Sequence, residues 1–273
     1  MPASESRARV AGHFGEWLQG RVGPAGVVAL VTLACPSRAV HATWRDAPDL
    51  TLDQSAVLLD LPRARAFLRA LGMPARGAIH LRADLPPGGG AGMSTAALVA
   101  LARAAGASEA RIASACLATE GASDPLMLAA PDQVLWASRA ARVLATMPPP
   151  PEAEILGGFF GPMLRTEASD MGFPLVDDLV ARWVSGPDLA QAAEIASLSA
   201  ARCTALRGPL DDPTPGLARA LGALGWARAH TGPARALIYP PGGVPDGAAE
   251  ALGRAGLEGV FQFRTGAFER AGT

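Results

Sequence analysis

Residues 84–97 (DLPPGGGAGMSTAA) combine residue types and spacings that suit a phosphate group. The glycines permit positive φ angles and let backbone N–H groups converge on an anion. A helix that begins near Met93 or Ser94 adds unpaired N–H groups and the positive end of its dipole. The hydroxyls of Ser94 and Thr95 can donate to phosphate oxygens or ligate magnesium. The segment predicts a phosphate-binding turn; the alternative is a glycine-rich surface loop in which Ser94 caps a helix.

Two common phosphate-binding patterns are absent from this turn. The chain has no GxxxxGK followed by Ser or Thr, and Met93 occupies the third glycine position of the dinucleotide pattern GxGxxG. A phosphate bound at this turn would therefore be held by a third kind of motif. Its predicted ligands are Pro86, Gly88, Gly89, Gly90, Ala91, Gly92, Met93, Ser94 and Thr95.

The chain contains no lysine, so all 24 of its Lys or Arg side chains are arginine. Lysine is therefore excluded as a phosphate ligand and as a neighbour that tunes a catalytic acid. Arginine, backbone N–H groups and a metal ion remain to neutralise negative charge.

Hydrophobic patterns predict the elements that position the turn. Strands are predicted at 26–34, 39–44 and 78–83, and helices at 62–71 and 93–105. The strand 78–83 leads directly into the turn. The helix 93–105 is almost entirely apolar, which indicates burial on most of its sides. Gly106 is placed to end it.

The second half of the chain continues with mixed helices and strands. Predicted elements are a helix at 108–119, a hairpin of 133–138 with 142–147, strands at 154–160, 234–239 and 259–263, and helices at 175–185 and 189–207. Four successive prolines at 148–151 favour a stiff connector, since they continue neither a helix nor a sheet. We therefore expect an α+β chain with an N-terminal domain at 1–148 and a C-terminal domain at 152–273.

Composition excludes several classes of protein. The 273 residues are 49% hydrophobic and 18% charged, which suits a globular protein without disulfides or metals. A net charge of -1 and scattered arginines offer no basic surface for nucleic acid. The isolated Cys35, Cys116 and Cys203 indicate buried thiols in a reducing compartment. Without an apolar signal or membrane segment, we expect a cytoplasmic protein with no membrane partner.

The glycine-rich turn resembles the PxxxGxGxSxA phosphate motif of the GHMP kinases. The matching positions are Pro86, Gly90, Gly92, Ser94 and Ala96. The resemblance implies a two-domain α+β fold, with an N-terminal domain similar to a ribosomal protein, an α/β C-terminal domain and the active site in the cleft between them. It also implies ATP and Mg2+ as cofactors.

Within that superfamily the chain most resembles the L-threonine kinases of cobalamin biosynthesis, of the propanediol-utilisation type. Residues 12–20 (GHFGEWLQG) resemble the family's opening motif GTCGELVQG. Five of the nine positions agree, namely Gly12, Gly15, Glu16, Gln19 and Gly20. Residues 119–127 (TEGASDPLM) resemble EPSDG at Ser123 and Asp124, and 229–232 (AHTG) resemble AHSG.

The turn itself departs from this family at several positions, three of which replace a charged or polar side chain. It resembles PxGKGMASSTAD, but Gly89, Met93 and Ala97 replace the family's Lys, first Ser and Asp. Loss of the lysine requires either an arginine that compensates or a weaker affinity for ATP.

The resemblance implies roles for residues on both sides of the turn. Asp124 is the candidate catalytic base, with a turn residue before Pro125 as the alternative. Glu120 is a candidate magnesium ligand together with Ser94, with a solvated carboxylate at a helix end as the alternative. The candidate substrate-binding residues are His13, Glu16, Gln19, His230, Thr231 and Gly232; each histidine has a structural role as its alternative.

The predicted reaction is phosphorylation of the side-chain hydroxyl of L-threonine or another small hydroxy amino acid by ATP. The alternatives are a GHMP kinase for another small alcohol, such as homoserine, and a nucleotide-binding protein that has lost catalysis. For the oligomeric state we consider a homodimer.

Overall fold

A computed structural model describes residues 5–266. The strands in this range are β1 (Glu5–Val22), β2 (Val27–Arg45), β3 (Leu50–Gln54), β4 (Gly77–Ala83), β5 (Val134–Ala137), β6 (Arg142–Thr146), β7 (Glu154–Phe159), β8 (Gly225–Arg228), β9 (Ala234–Tyr239) and β10 (Glu258–Arg264). The helices are α1 (Leu61–Ala70), α2 (Met93–Ala104), α3 (Glu109–Glu120), α4 (Asp177–Val184), α5 (Leu189–Arg207), α6 (Thr214–Ala220) and α7 (Ala248–Arg254). The predicted α+β class is confirmed.

One sheet joins strands from both halves of the chain, in the order β10-β7-β9-β8-β1-β2-β4-β3. The hairpin of β5 and β6 attaches to β2. The strand pairs are antiparallel except β3 with β4. The two halves meet where Glu16 of β1 pairs with Arg228 of β8. The opening motif of β1 therefore lies at the centre of the sheet.

The helices pack on the sheet through apolar faces. In α2 every residue except Ser94 and Arg103 is buried, as its apolar composition predicts. The main core contains residues from before and after the four prolines, including Phe14 and Phe159, whose ring centroids lie 5.3 Å apart. A smaller apolar cluster, around Trp226, consists of residues that follow the prolines. The division into domains at 148 and 152 stays a prediction.

Most of the predicted elements are present with bounds shifted by a residue or two, but the prediction of two strands at 26–34 and 39–44 was wrong. They form the single strand β2, which continues through Pro36. The register with β1 jumps from Ala39 to Cys35 between two successive β1 residues, so this irregularity accommodates the proline.

Five elements were not predicted individually: β1, β3, β8, α6 and α7. The strand β1 is interrupted by Gly12, Gly15 and Gly20, which weaken a strand pattern. The other four have seven residues or fewer, too short for a clear period. No helix within residues 5–266 combines the length and the apolar character of a membrane span.

Candidate active site

A cavity of about 410 Å³ lies over the N-terminal end of α2. Elements that are distant in sequence line it: β1, the glycine-rich turn, the end of α3, the β5–β6 turn, the loop between β7 and α4, and the β8–β9 loop. The predicted site residues that line it are His13, Glu16, Gly88, Gly90, Ala91, Gly92, Met93, Ser94, Thr95, Glu120, Asp124, His230 and Thr231.

The glycine-rich turn has the backbone conformation that an anion nest requires. Gly88, Gly90 and Gly92 have φ angles of 78°, 77° and 68°, in the left-handed region that favours glycine. Gly92 is the N-cap of α2, and no side chain caps the helix. The alternative role of Ser94 as a helix cap is therefore wrong. The uncapped N-terminus and the turn face the cavity, as phosphate binding requires.

The opening motif of β1 holds one side of this turn. The N–H of His13 donates to the carbonyl of Ala91 at 3.2 Å, and the N–H of Gly15 donates to the carbonyl of Gly90 at 3.4 Å. A Cβ atom at Gly12 would lie 2.6 Å from the oxygen of Ala91, so a larger residue would push the motif away. The motif resemblance thus corresponds to direct contact between the two segments.

The β8–β9 loop holds the other side of the turn. A Cβ atom at Gly232 would lie 2.7 Å from both the oxygen of Gly88 and the nitrogen of Gly90. The N–H of Ala234 donates to the carbonyl of Gly89 at 2.9 Å. Gly89 and Gly232 therefore support the turn by close backbone packing and do not themselves line the cavity.

Pro86 and Gln19 also lie outside the cavity lining. Gln19 is fully buried, where its Nε2 donates to the carbonyl of Arg228 at 2.9 Å and its N–H donates to Ser199 Oγ at 2.9 Å. Its side chain connects β1 to β8. This position gives no support for the predicted contact with substrate.

Asp124 lies beside His13, which in turn lies beside Glu16. His13 Nε2 is 3.4 Å from Asp124 Oδ2, and His13 Nδ1 is 3.6 Å from Glu16 Oε1. The Asp124 side chain is 25% exposed, whereas those of His13 and Glu16 are buried. Thr95 donates its hydroxyl to Asp124 Oδ2 at 3.3 Å. The carboxylate of Asp124 is thus oriented at the edge of the cavity.

These three groups shift one another's proton affinities. Burial alone lowers the pKa of His13, but the carboxylates of Glu16 and Asp124 outweigh it and raise that pKa to about 9. Burial raises the pKa of Asp124, but the positive charge of His13 at 3.4 Å reverses this and leaves that pKa lowered. Burial raises the pKa of Glu16. At neutral pH, Asp124 is therefore an ionised carboxylate beside a protonated imidazole.

Ser94 and Glu120 meet at the start of α2. Ser94 Oγ donates to Glu120 Oε2 at 3.0 Å, and Glu120 also forms an ion pair with Arg63 of α1. Among residues 5–266 there is no group of three or more His, Cys, Asp or Glu side chains that could hold a metal ion. A hydroxyl and one carboxylate fit magnesium, which takes its other ligands from phosphates and water.

Three arginines of the cavity were not predicted as site residues. Arg63 comes from α1, Arg139 from the β5–β6 turn and Arg165 from the β7–α4 loop. This loop crosses the glycine-rich turn, where the N–H of Leu164 donates to the carbonyl of Gly88 at 2.9 Å. The absence of lysine was the only signal that arginines must carry positive charge here, and it did not indicate which ones.

His230 is buried and stacks on Phe173 with 4.0 Å between the ring centroids and 8° between the planes. Burial lowers its pKa to about 3, and the charge of Arg139 contributes in the same direction. Its imidazole is therefore neutral. Neither ring nitrogen has a hydrogen-bond partner within residues 5–266.

No family model matches the sequence, and no curated protein matches it. Similar solved structures include the L. major mevalonate kinase in complex with R-mevalonate, which is 11% identical with a TM-score of 0.64 over 96% of this chain and 97% of that chain. Mevalonate kinase from methicillin-resistant Staphylococcus aureus is 15% identical, with a TM-score of 0.60 over 95% of this chain and 98% of that chain.

A third similar structure, described by its mevalonate diphosphate mediated ATP binding mechanism, is the mevalonate diphosphate decarboxylase from Enterococcus faecalis. It is 12% identical, with a TM-score of 0.60 over 96% of this chain and 97% of that chain. At these identities the similarity establishes the fold. The chain has the α+β fold of these enzymes along almost its whole length, which confirms the predicted fold class.

Proposed function

We propose that the protein transfers the γ-phosphate of ATP to the hydroxyl of a small alcohol. The observation that carries this proposal is the position of Asp124, an oriented carboxylate in the same cavity as the glycine-rich turn and the N-terminus of α2. A phosphate site and a proton acceptor in one cavity are the parts that phosphoryl transfer to an alcohol requires. The kinases and the ATP-binding decarboxylase of the same fold support this choice.

Each group of the cavity has a separate role in this reaction. The N–H groups of the turn and of α2 hold the phosphates and stabilise the charge of the transferring group. Asp124 accepts the proton of the acceptor hydroxyl. At the same time the hydroxyl oxygen bonds to the γ-phosphorus, and the bond from that phosphorus to the departing ADP breaks. His13 keeps Asp124 ionised before the transfer. Thr95 orients the carboxylate.

Magnesium would be held by Ser94 and Glu120. When bound, the ion supplies charge neutralisation at the phosphate oxygens. Glu120 must then share its carboxylate between the ion and Arg63, or release Arg63 toward the phosphates. This assignment rests on the chemistry of the two ligands and on their position at the start of α2.

The acceptor we propose is L-threonine, which would give O-phospho-L-threonine for the aminopropanol arm of cobalamin. The support is the opening motif, because His13 and Glu16 line the cavity while Gly12 and Gly15 hold the turn. Another small alcohol, such as homoserine, is the alternative acceptor. The enzyme would bind the acceptor and ATP at the same time. We propose that it acts in the cytoplasm.

A nucleotide-binding protein without catalysis is the rival proposal. It is motivated by the absence of lysine and by Gly89 and Met93 in the turn. The presence of Asp124, His13 and Glu120 in the cavity favours the kinase.

The test is ADP release from magnesium ATP over a panel of L-threonine, L-serine, homoserine and mevalonate. Turnover confined to L-threonine is the expected result. Turnover with homoserine alone would overturn the acceptor and keep the kinase. ATP binding with no turnover on any alcohol would favour the rival.

A further inference from the structure

Arg139 lines the cavity and is held there by hydrogen bonds to uncharged oxygens. Its guanidinium donates to Ser138 Oγ at 3.2 Å and to the carbonyls of Glu167 and Asp170 at 3.3 and 3.4 Å. These bonds use three of its five N–H groups, so two remain, one of them on the buried Nε. No carboxylate within residues 5–266 forms an ion pair with it. Arg139 is thus held in place by three hydrogen bonds, while among the described residues its positive charge has no ion-pair partner and two of its N–H groups are free.

His230 is another polar group of the cavity, and among residues 5–266 neither of its ring nitrogens has a hydrogen-bond partner. It is 7% exposed and lines the cavity, and the Phe173 ring fixes the plane of its imidazole. Burying two ring nitrogens without hydrogen bonds is costly. Because the imidazole is neutral, one of these nitrogens has a lone pair that can accept a hydrogen bond.

Both groups belong to the surroundings of Asp124. The Asp124 carboxylate interacts electrostatically with Arg139 and with His230. Ser123, next to Asp124, adds a buried hydroxyl with no hydrogen-bond partner among the described residues. Arg139, His230 and Ser123 therefore line the same cavity as the proposed base, where an acceptor alcohol must bind.

We propose that Arg139 and His230 form a subsite for an α-amino acid, in which Arg139 binds the carboxylate of the acceptor and His230 accepts a hydrogen bond from its ammonium group. The inference rests on the proposed function and assigns the two residues that recognise the carboxylate and the ammonium group of its acceptor. The free N–H on Nη1 of Arg139 can donate one charge-assisted hydrogen bond to a carboxylate. A neutral imidazole suits an ammonium, which a charged one would repel.

The test is calorimetric binding to the full-length protein with magnesium and a non-hydrolysable ATP analogue. The probes are L-threonine, 1-amino-2-propanol, which lacks the carboxylate, and 3-hydroxybutyrate, which lacks the amino group. We expect L-threonine to bind at least about tenfold tighter than either, since each analogue leaves a buried group unpaired.

Arg139→Met should weaken L-threonine about 10- to 100-fold and leave 1-amino-2-propanol unchanged. His230→Phe, which keeps an aromatic ring against Phe173, should remove the preference for L-threonine over 3-hydroxybutyrate. Arg142→Met is the matched control, because Arg142 is exposed on the neighbouring strand and does not line the cavity. The affinity for the ATP analogue should stay the same in all three variants.

Equal binding of L-threonine to the wild type and Arg139→Met would overturn the subsite, as would equal binding of L-threonine and 1-amino-2-propanol to the wild type. Absence of L-threonine binding would also overturn it. The expected binding pattern without phosphoryl transfer would support the subsite and reject the proposed kinase. If Arg139→Met does not fold, Arg139→Lys replaces it in the L-threonine titration. The affinities of the wild type for the three probes then test the subsite without any variant.

Discussion

Asp124, His13 and Glu16 form a buried chain of titratable groups that ends at the cavity. A carboxylate is useful as a base only while it is ionised, and burial works against that state. His13, at 3.4 Å, supplies the compensating charge, and Glu16 Oε1 lies 3.6 Å from its other ring nitrogen. In this protein without lysine, the side chain of His13 supplies the positive charge beside the proposed base.

Asp124→Asn should lower kcat by a factor of about 10² to 10⁴, the usual contribution of a general base. The affinity for ATP, measured by calorimetry, should change less than about twofold, since the phosphates bind to the turn. Asp53→Asn is the control, because the Asp53 side chain is 83% exposed on the edge strand β3. An unchanged kcat in Asp124→Asn would exclude the general-base role.

His13 should make stability depend on pH. Its pKa in the folded protein is about 9, above the ordinary 6.5, so its stabilisation is complete below pH 6.5 and lost as the pH rises through 9. The raised pKa of Glu16 acts in the same direction. The free energy of unfolding from urea titrations should therefore fall over this range. His13→Gln should reduce the slope, and the exposed His80→Gln should keep it; equal slopes in all three proteins would contradict this account.

At the scale of elements, the glycine-rich turn depends on close packing between three segments. Gly90 and Gly106 have nearly the same φ, 77° and 76°, but only Gly90 is crowded, by Ala229 and Thr231. Both substitutions to alanine carry a backbone cost of about 1 kcal/mol. Gly90→Ala must in addition push the β8–β9 loop away from the turn.

We therefore expect Gly90→Ala to abolish ATP binding, whereas Gly106→Ala lowers the melting temperature and keeps ATP affinity. Calorimetry with the ATP analogue and thermal unfolding measure the two effects. Equal ATP affinity in both variants would mean that the turn does not bind phosphate.

The β7–α4 loop brings Arg165 to the turn from which the lysine is missing. Leu164, its neighbour, bonds to Gly88, and the charge of Arg165 contributes to a lowered pKa of Arg63, after the larger effect of burial. Arg165→Met should weaken ATP about tenfold, the loss of one charge-assisted hydrogen bond. Arg254→Met, on α7, is the control. An unchanged affinity would mean that the turn and magnesium suffice without this charge.

The sequence predicted the turn from a local pattern, because its glycines and the following helix lie within a few residues of one another. The roles proposed for Asp124 and Glu120 came from the family resemblance. The contacts of the turn were not visible in this way, because the residues that pack on it are distant in sequence. Gly12 packs on Ala91, and Gly232 packs on Gly90. Arg139 and Arg165 lie in loops, where no periodicity indicates the direction of a side chain.

At the scale of the whole molecule, the cavity lies near the junction of the two halves of the sheet. The pairing of Glu16 with Arg228 connects β1 to β8. Residues of the first half supply the turn and Asp124, and the second half supplies His230 and the β7–α4 loop. The strand β1 therefore has two roles that only the topology shows. It joins the two halves of the sheet, and it carries His13, which lies beside the proposed base.

The measurement that tests the central claim most directly is transfer of the γ-phosphate from magnesium ATP to L-threonine, with O-phospho-L-threonine identified by mass spectrometry. The wild type should produce phosphothreonine in amounts equal to the ADP released, and Asp124→Asn should produce almost none over the same time. ATP binding without a phosphorylated product from L-threonine, L-serine, homoserine or mevalonate would contradict the account.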